Sequence, residues 1–179
     1  LGGFRIGFEK ACYKNKIDST CILSSEIKEH AIKTYKKNFK NHPLKGDITK
    51  LKNNEIKDFD VLLAGFPCQS FSSAGSKKGF LDTRGTLFFQ IERILKAKKP
   101  KAFILENVEG LVKHDMFKKK QPIGKTLDTI LKTLENIGYK VSWELLNSKD
   151  FGLAQDRNRI FIVGTRKNKI ELNDYKSKK

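Results

Sequence analysis

Apolar runs of strand length alternate along this chain with segments whose apolar residues recur at helical spacing, and this alternation most narrows the fold. Thr20 to Ser24 reads as a short buried strand, and Ile27, Ala31, Tyr35 and Phe39 follow at helical intervals. Asp47-Ile48 closes a short loop-strand segment after His42-Pro43. Phe59 to Ala64 is an apolar run ended by Gly65-Phe66-Pro67. Cys68 to Gly85 is rich in Ser and Gly with no apolar period and reads as a loop. Leu87, Phe88, Ile91, Ile94 and Leu95 predict a helix with Thr86 as its N-cap, and Ala102 to Leu105 predicts a strand. Pro122 is expected to open a helix carrying Ile123, Leu127, Ile130, Leu131, Leu134 and Ile137, with Gly138 as its stop. Tyr139 to Leu146 and Ile160 to Val163 are the last predicted strands. Alternation of this kind predicts an α/β fold with a mainly parallel sheet and helices on both faces. Such sheets bind ligands at the carboxyl ends of their strands.

The chain opens at Leu1 on Gly2-Gly3, followed at once by Phe4, Ile6, Gly7, Phe8 and Ala11 at roughly helical spacing. A Gly pair that opens a helix usually follows a strand, so a strand is expected to be missing before Leu1. Residues 167–179 are polar and read as a linker, not an ending.

Charge narrows the partners. The 179 residues carry a formal net charge of +17, which points toward a polyanion, against the plainer reading of solvated lysines on every face. With 38% hydrophobic residues the chain is neither a disordered tail nor a fibrous repeat. No apolar run approaches the roughly 20 residues of a membrane span. Cys12, Cys21 and Cys68 are odd in number and lack CxxC spacing, so neither a disulfide framework nor a metal site is expected, and a reducing cytosol fits.

Four polar clusters follow predicted strands: Glu26, Pro67-Cys68-Gln69-Ser70, Glu106-Asn107-Val108 and Gln155-Asp156-Arg157-Asn158-Arg159. Singly, each has an ordinary reading: a small buried thiol, a helix-start charge, a solvated strand face. Together, a thiol before a flexible loop with a carboxylate, an Asn and two Arg at neighbouring strand ends suits nucleophilic attack on a polar ring.

In motif order and over nearly its full length, the sequence resembles the DNA cytosine-5 methyltransferase family. Leu1-Gly2-Gly3-Phe4 resembles the end of the family's glycine-rich cofactor motif, Ser25-Glu26 its acidic strand end, and Gly46-Asp47-Ile48 its next cofactor segment. Gly65-Phe66-Pro67-Cys68-Gln69-Ser70-Phe71-Ser72 matches the catalytic-loop motif at every position. Arg84-Gly85-Thr86-Leu87-Phe88-Phe89, Glu106-Asn107-Val108 and Gln155 to Arg159 complete the set.

The resemblance implies a Rossmann-like S-adenosylmethionine-dependent methyltransferase fold. It implies methyl transfer to carbon 5 of a cytosine flipped out of double-stranded DNA, within a bacterial restriction-modification system with a cognate restriction endonuclease. Carbon 5 is a poor nucleophile; a thiolate adding at carbon 6 makes the ring an enamine that attacks the methyl donor. Cys68 is implied as that thiolate. Glu106 is implied to donate to N3 and accept from the exocyclic amine, which demands a raised pKa. Arg159, and to a lesser degree Arg157, resemble the arginines that contact the base carbonyl and hold loop and phosphate. Pro67, Gln69 and Ser70 belong to the loop motif; Asn107 positions the Glu106 turn, and Gln155 is structural.

For the cofactor, S-adenosylmethionine, Glu26 is implied to accept from the ribose hydroxyls and Asp47 from the adenine amine, with Ile27 and Ile48 against the ring. Gly2, Gly3 and Phe4 are implied at the methionine part, and Leu87 lines the pocket. For Ile27 and Ile48 ordinary core is an equal alternative. The family's first strand precedes Leu1 and its target-recognition region follows Lys179. Residues 1–166 therefore read as a catalytic domain without its first strand, in an interior fragment of a longer enzyme. A monomer in the bacterial cytoplasm, associated with the nucleoid, is expected. A tRNA cytosine-5 methyltransferase relative and an inactive remnant that only binds nucleic acid are the alternatives.

Overall fold

The computed structural model describes residues 2–67, 86–116 and 122–172. Cys68, Gln69, Ser70 and the rest of the expected loop to Gly85 lie outside the described residues. The chain divides into two compact units, Leu1–Phe59 and Asp60–Lys179.

In the first unit, α1 (Gly3–Lys14) covers the stretch whose apolar spacing is helical, but its packing is thin. Cys12 is its buried residue, and Ile6 stays exposed. Strand β1 is Ser24–Ser25, shorter than the Thr20 to Ser24 run suggested. A strand extends only as far as a bonded neighbour. Here β2 (Leu44–Lys45) offers two residues, paired in parallel as Ser24 with Leu44 and Ser25 with Lys45. Helix α2 (Glu29–Asn38) buries Ala31 and Tyr35 one turn apart, as the i, i+4 spacing requires. The two outer members of that apolar series fall off the helix: Ile27 precedes it and Phe39 is its C-cap.

The second unit is built on a four-stranded sheet in the order β3-β4-β6-β5: β3 (Val61–Gly65), β4 (Ala102–Val108), β5 (Lys140–Asn147) and β6 (Asn158–Thr165). β3 and β4 pair in parallel, while β6 is antiparallel to both β4 and β5. Three of these four strands therefore point one way and β6 alone is reversed. The α/β class and mostly parallel sheet expected from the sequence stand. The reversed strand is what brings the start of β6 to the carboxyl ends of β3, β4 and β5.

Helices α3 (Thr86–Lys98) and α4 (Lys125–Asn136) belong to this unit. Phe88, Leu95, Phe103, Leu105, Leu127, Leu134 and Ile162 are all within one buried cluster. Each such side chain contributes roughly 1.5–3 kcal/mol by leaving water. Thr86 is the first helical residue of α3, one position inside the cap expected for it. Helix α4 starts at Lys125, three residues after Pro122, for a steric reason. Gly124 is its N-cap in extended conformation, and its N–H donates to the Val112 carbonyl at 2.7 Å. A Cβ there would lie 1.9 Å from the His114 carbonyl oxygen, so only glycine passes beneath that chain. The end of α4 is where expected: Gly138 has φ 91°, and its N–H donates to the Glu135 carbonyl at 2.9 Å.

Candidate functional site

Of the expected base-directed residues, Glu106, Arg157 and Arg159 sit at one end of the four-stranded sheet. Gly65, the last residue of β3, pairs with Glu106 of β4, and Pro67 lies exposed two residues beyond it. A Cβ on Gly65 would stand 3.3 Å from Glu106 Oε2, so the strand end approaches this carboxylate closely. Across the antiparallel β4–β6 pair, Glu106 faces Phe161 and Val108 faces Arg159. Alternation puts Glu106 and Arg159 on the same face as diagonal neighbours. Arg159 Nε is 2.9 Å from Glu106 Oε1, with both side chains part-buried. Arg159 Nη1 donates to the Asn158 carbonyl at 2.6 Å, which fixes the plane of the guanidinium.

Asn107 points to the opposite face and is 2% exposed. Its Oδ1 accepts from the Val108 N–H at 2.8 Å. Its Nδ2 has no hydrogen-bond partner among the described residues.

A second polar centre escaped the sequence reading. Asn147 ends β5, is 8% exposed and ties the Gln155 to Arg159 segment together. Its Nδ2 donates to Asp156 Oδ1 at 2.5 Å and Asn158 Oδ1 at 2.7 Å. Its Oδ1 accepts from the N–H groups of Lys149 at 3.1 Å and Arg157 at 3.2 Å. The bond from Asn147, followed by that from Lys149, holds the Asp156 carboxyl below the usual carboxylate range. Asn158 Nδ2 reaches Glu109 Oε2 at 3.0 Å, and the Gln155 carbonyl accepts from Ser148 Oγ at 2.5 Å. The Arg157 side chain is exposed. The available signal was an Asn-Ser pair closing an alternating apolar run; its reach to residues 156–158 depends on the reversed strand.

In the first unit, the parallel β1–β2 pair continues as the Glu26 N–H donating to the Lys45 carbonyl at 3.1 Å. Glu26 and Asp47 thereby follow neighbouring parallel strands, at their carboxyl ends. Glu26 Oε1 accepts from the Ile27 and Lys28 N–H groups at 2.9 and 3.0 Å. Asp47 Oδ1 accepts from Thr49 Oγ1 at 2.7 Å and the Thr49 N–H at 2.9 Å. Those bonds, the hydroxyl first, hold its carboxyl below the usual range. Ile27 is 67% exposed, which removes the core alternative for it, while Ile48 is half-buried. Gly2 has φ 88° and abuts the Phe39 ring; Gly3 and Phe4 begin α1. In the second unit Leu87 is partly buried on the core. Among the described residues no cluster of three or more His, Cys, Asp or Glu is arranged to hold a metal. No helix there is long and apolar enough to cross a membrane.

Comparison with known proteins supplies the family. The model of C-5 cytosine-specific DNA methylases matches residues 1–179. The type II methyltransferase M.NlaIV of Neisseria lactamica is 56% identical over 172 residues, covering 96% of this chain and 41% of that protein. M.BanI of Aneurinibacillus aneurinilyticus is 52% identical over 172 residues, covering 96% and 38%. Among solved structures, S. pombe Dnmt2 methyltransferase superposes with TM-score 0.71 at 23% identity, over 92% of this chain and 49% of that one, a likeness of fold. The chain spans about two fifths of the length of these curated relatives. Strand-end chemistry, fold and similarity converge: this chain belongs to the C-5 cytosine-specific DNA methylase family.

Proposed function

We propose that this chain carries the base-directed and cofactor-directed residues of a type II DNA cytosine-5 methyltransferase of a restriction-modification system. The observation that carries the reading is the Glu106–Arg159 pair near the carboxyl end of β4, the strand next to β3, whose end leads into Pro67 and, in sequence, Cys68. Cys68 adds to carbon 6 of an extrahelical cytosine. Glu106 holds N3 and the exocyclic amine, and Arg159 orients Glu106 while offering its remaining donors to the base carbonyl. Arg157, exposed beside them, meets phosphate. Loss of the carbon 5 proton and then of Cys68 restores the aromatic ring.

The exposed Ile27, next to Glu26 and following the strand beside the one that leads to Asp47, fits an adenosyl group, apolar on its faces and hydrogen-bonding at its edges. S-adenosylmethionine supplies the electrophilic methyl group when bound. Glu26 has Oε2 for the ribose, Asp47 has Oδ2 for the amine, and Ile27 and Ile48 pack against the ring. Gly2, Gly3 and Phe4 are assigned to the remainder of that cofactor. Double-stranded DNA is the substrate, a restriction endonuclease the functional partner, and the cytoplasm the compartment. Residues 1–166 act as the catalytic portion, and a monomer suffices.

The test is covalent trapping. A duplex carrying 5-fluorocytosine, incubated with S-adenosylmethionine, is expected to form a denaturant-resistant adduct, because fluorine cannot leave as the proton does. An adduct that persists in Cys68→Ala overturns the assignment.

A further inference from the structure

The second unit gathers cations at the end of its sheet away from Glu106 and Arg159. Asp60 and Lys101 precede β3 and β4, Lys140 opens β5, and Arg166 and Lys167 follow β6. Backbone bonds draw these positions into one rim. The Ala102 N–H donates to the Asp60 carbonyl and the Arg166 N–H to the Lys101 carbonyl, both at 3.1 Å, and Lys140 pairs with Thr165. Lys99 joins them just before β4, its N–H closing α3 on the Leu95 carbonyl at 2.9 Å. Lys99, Lys101, Lys140, Arg166 and Lys167 are all exposed. A buried aromatic ring supports them: the Tyr139 hydroxyl donates to the Pro100 carbonyl at 2.8 Å, and the Arg166 guanidinium carbon lies 5.4 Å from the ring centre.

The rim's own carboxylate, Asp60, pairs with Lys101 at 2.7 Å, but both side chains are largely exposed, and such a pair yields readily to a phosphate. Glu135 lies back in α4 and Glu171 beyond the end of β6. The opposite end of the sheet is balanced instead. Among the described residues there, Glu106 pairs with Arg159 and Asp156 with Lys149, while Glu109 and Asp150 stand against Arg157. A helix C-terminus accounts for Lys98 in the last turn of α3. It does not account for Lys101, Lys140, Arg166 and Lys167, which lie at strand ends, where the net dipole is small. We propose that this rim is a second, sequence-independent contact for the phosphate backbone of duplex DNA. The inference rests on DNA as the substrate but uses none of the base-directed residues. Strands about 4.8 Å apart make the rim about 14 Å wide, and a duplex carries a phosphate about every 3.4 Å along each strand, so several fall within its reach. The length of β4, about 20 Å, separates the rim from the base-directed end. Contacts of this kind hold and orient a protein on DNA without reading its sequence.

The probe is a duplex of about 30 A·T base pairs, bound to the intact native protein over a range of salt. It contains no cytosine, so the result does not depend on the roles given to Cys68 and Glu106. A triple variant, Lys101→Gln with Lys140→Gln and Lys167→Gln, is expected to flatten the dependence of log affinity on log salt by about 2–3. The same loss of charge at exposed lysines of α1 and α2, Lys14→Gln with Lys36→Gln and Lys37→Gln, should leave that slope nearly unchanged. A second measurement needs no variant. In the native protein the duplex should shield Lys101, Lys140 and Lys167 from acetylation, read by mass spectrometry, more than Lys14, Lys36 and Lys37. Equal slopes for the two triple variants, or equal shielding of the two sets, overturns the proposal. So does shielding of the rim by polyglutamate but not by the duplex, which makes it a protein-docking surface.

Discussion

Arg159 Nε lies 2.9 Å from Glu106 Oε1 across two antiparallel strands, joining the Glu106-Asn107-Val108 and Gln155-to-Arg159 clusters. The contact is diagonal: each residue is one pleat away from the other's direct partner. A guanidinium holds a carboxylate in one orientation better than an ammonium does, because its donors form a rigid fork. Glu106→Gln keeps the shape but replaces an acid with a neutral amide. Methyl transfer by the full-length protein is expected to fall about 10²-fold or more, the usual scale of a general acid–base group. Cofactor affinity, measured by calorimetry, should change little; an equal loss there would make Glu106 a structural residue.

Asn147 is a structural centre of the same end of the sheet. Replacing it with Ala removes partners from two backbone N–H groups and two side chains at once. Unsatisfied groups of this kind cost about 1–3 kcal/mol. Urea denaturation of Asn147→Ala should show a lower midpoint with an unchanged slope.

Gly164 tests the core. A Cβ built there would be 2.2 Å from Phe103 Cζ, and Phe103 is completely buried. Gly164→Ala is expected to destabilise by about 1–3 kcal/mol through overpacking. Gly164→Ala with Phe103→Leu should lose less than the two single changes together, because the smaller side chain clears the space. Thermal melts of the four proteins give the cycle, and strict additivity would refute the steric account.

Asp156 carries a pH dependence. Its folded-state pKa is depressed, so the stability it contributes is present above the ordinary carboxylate value of about 4. That contribution is lost as pH falls through the lower folded value. The stability difference between the native chain and Asp156→Asn should be larger near about pH 6 and shrink toward about pH 2. A difference that grows on acidification would contradict the Asn147 and Lys149 contacts.

Charge predicts how the chain meets DNA. With a net charge of +17, Leu1 to Lys179 should bind duplexes without regard to sequence, and binding should weaken steeply with salt as counterions are released. Base-specific contacts add roughly 4–10 kcal/mol. Filter binding at low and moderate salt, with tritiated-methyl transfer on varied duplexes, checks this. Turnover confined to one short sequence context would place recognition within these residues.

What the sequence determined by itself was local. Period and punctuation set the helices around Ala31, Leu95 and Leu134, the strands around Leu63, Ile104 and Ile162, and the stop at Gly138. These follow from side-chain spacing and backbone preference, which neighbouring residues decide. The motif residues Glu26, Asp47, Glu106 and Arg159 stood out because each lies within two residues of an end of such an element. Only the tertiary structure decided that β6 runs backwards between β4 and β5, and with it that Arg159 meets Glu106 and Asn147 gathers residues 156–158. It also decided that Ile27 is exposed and that α4 must wait for Gly124 to pass beneath His114. Register, exposure and close approach depend on residues distant in sequence, and no local period encodes them.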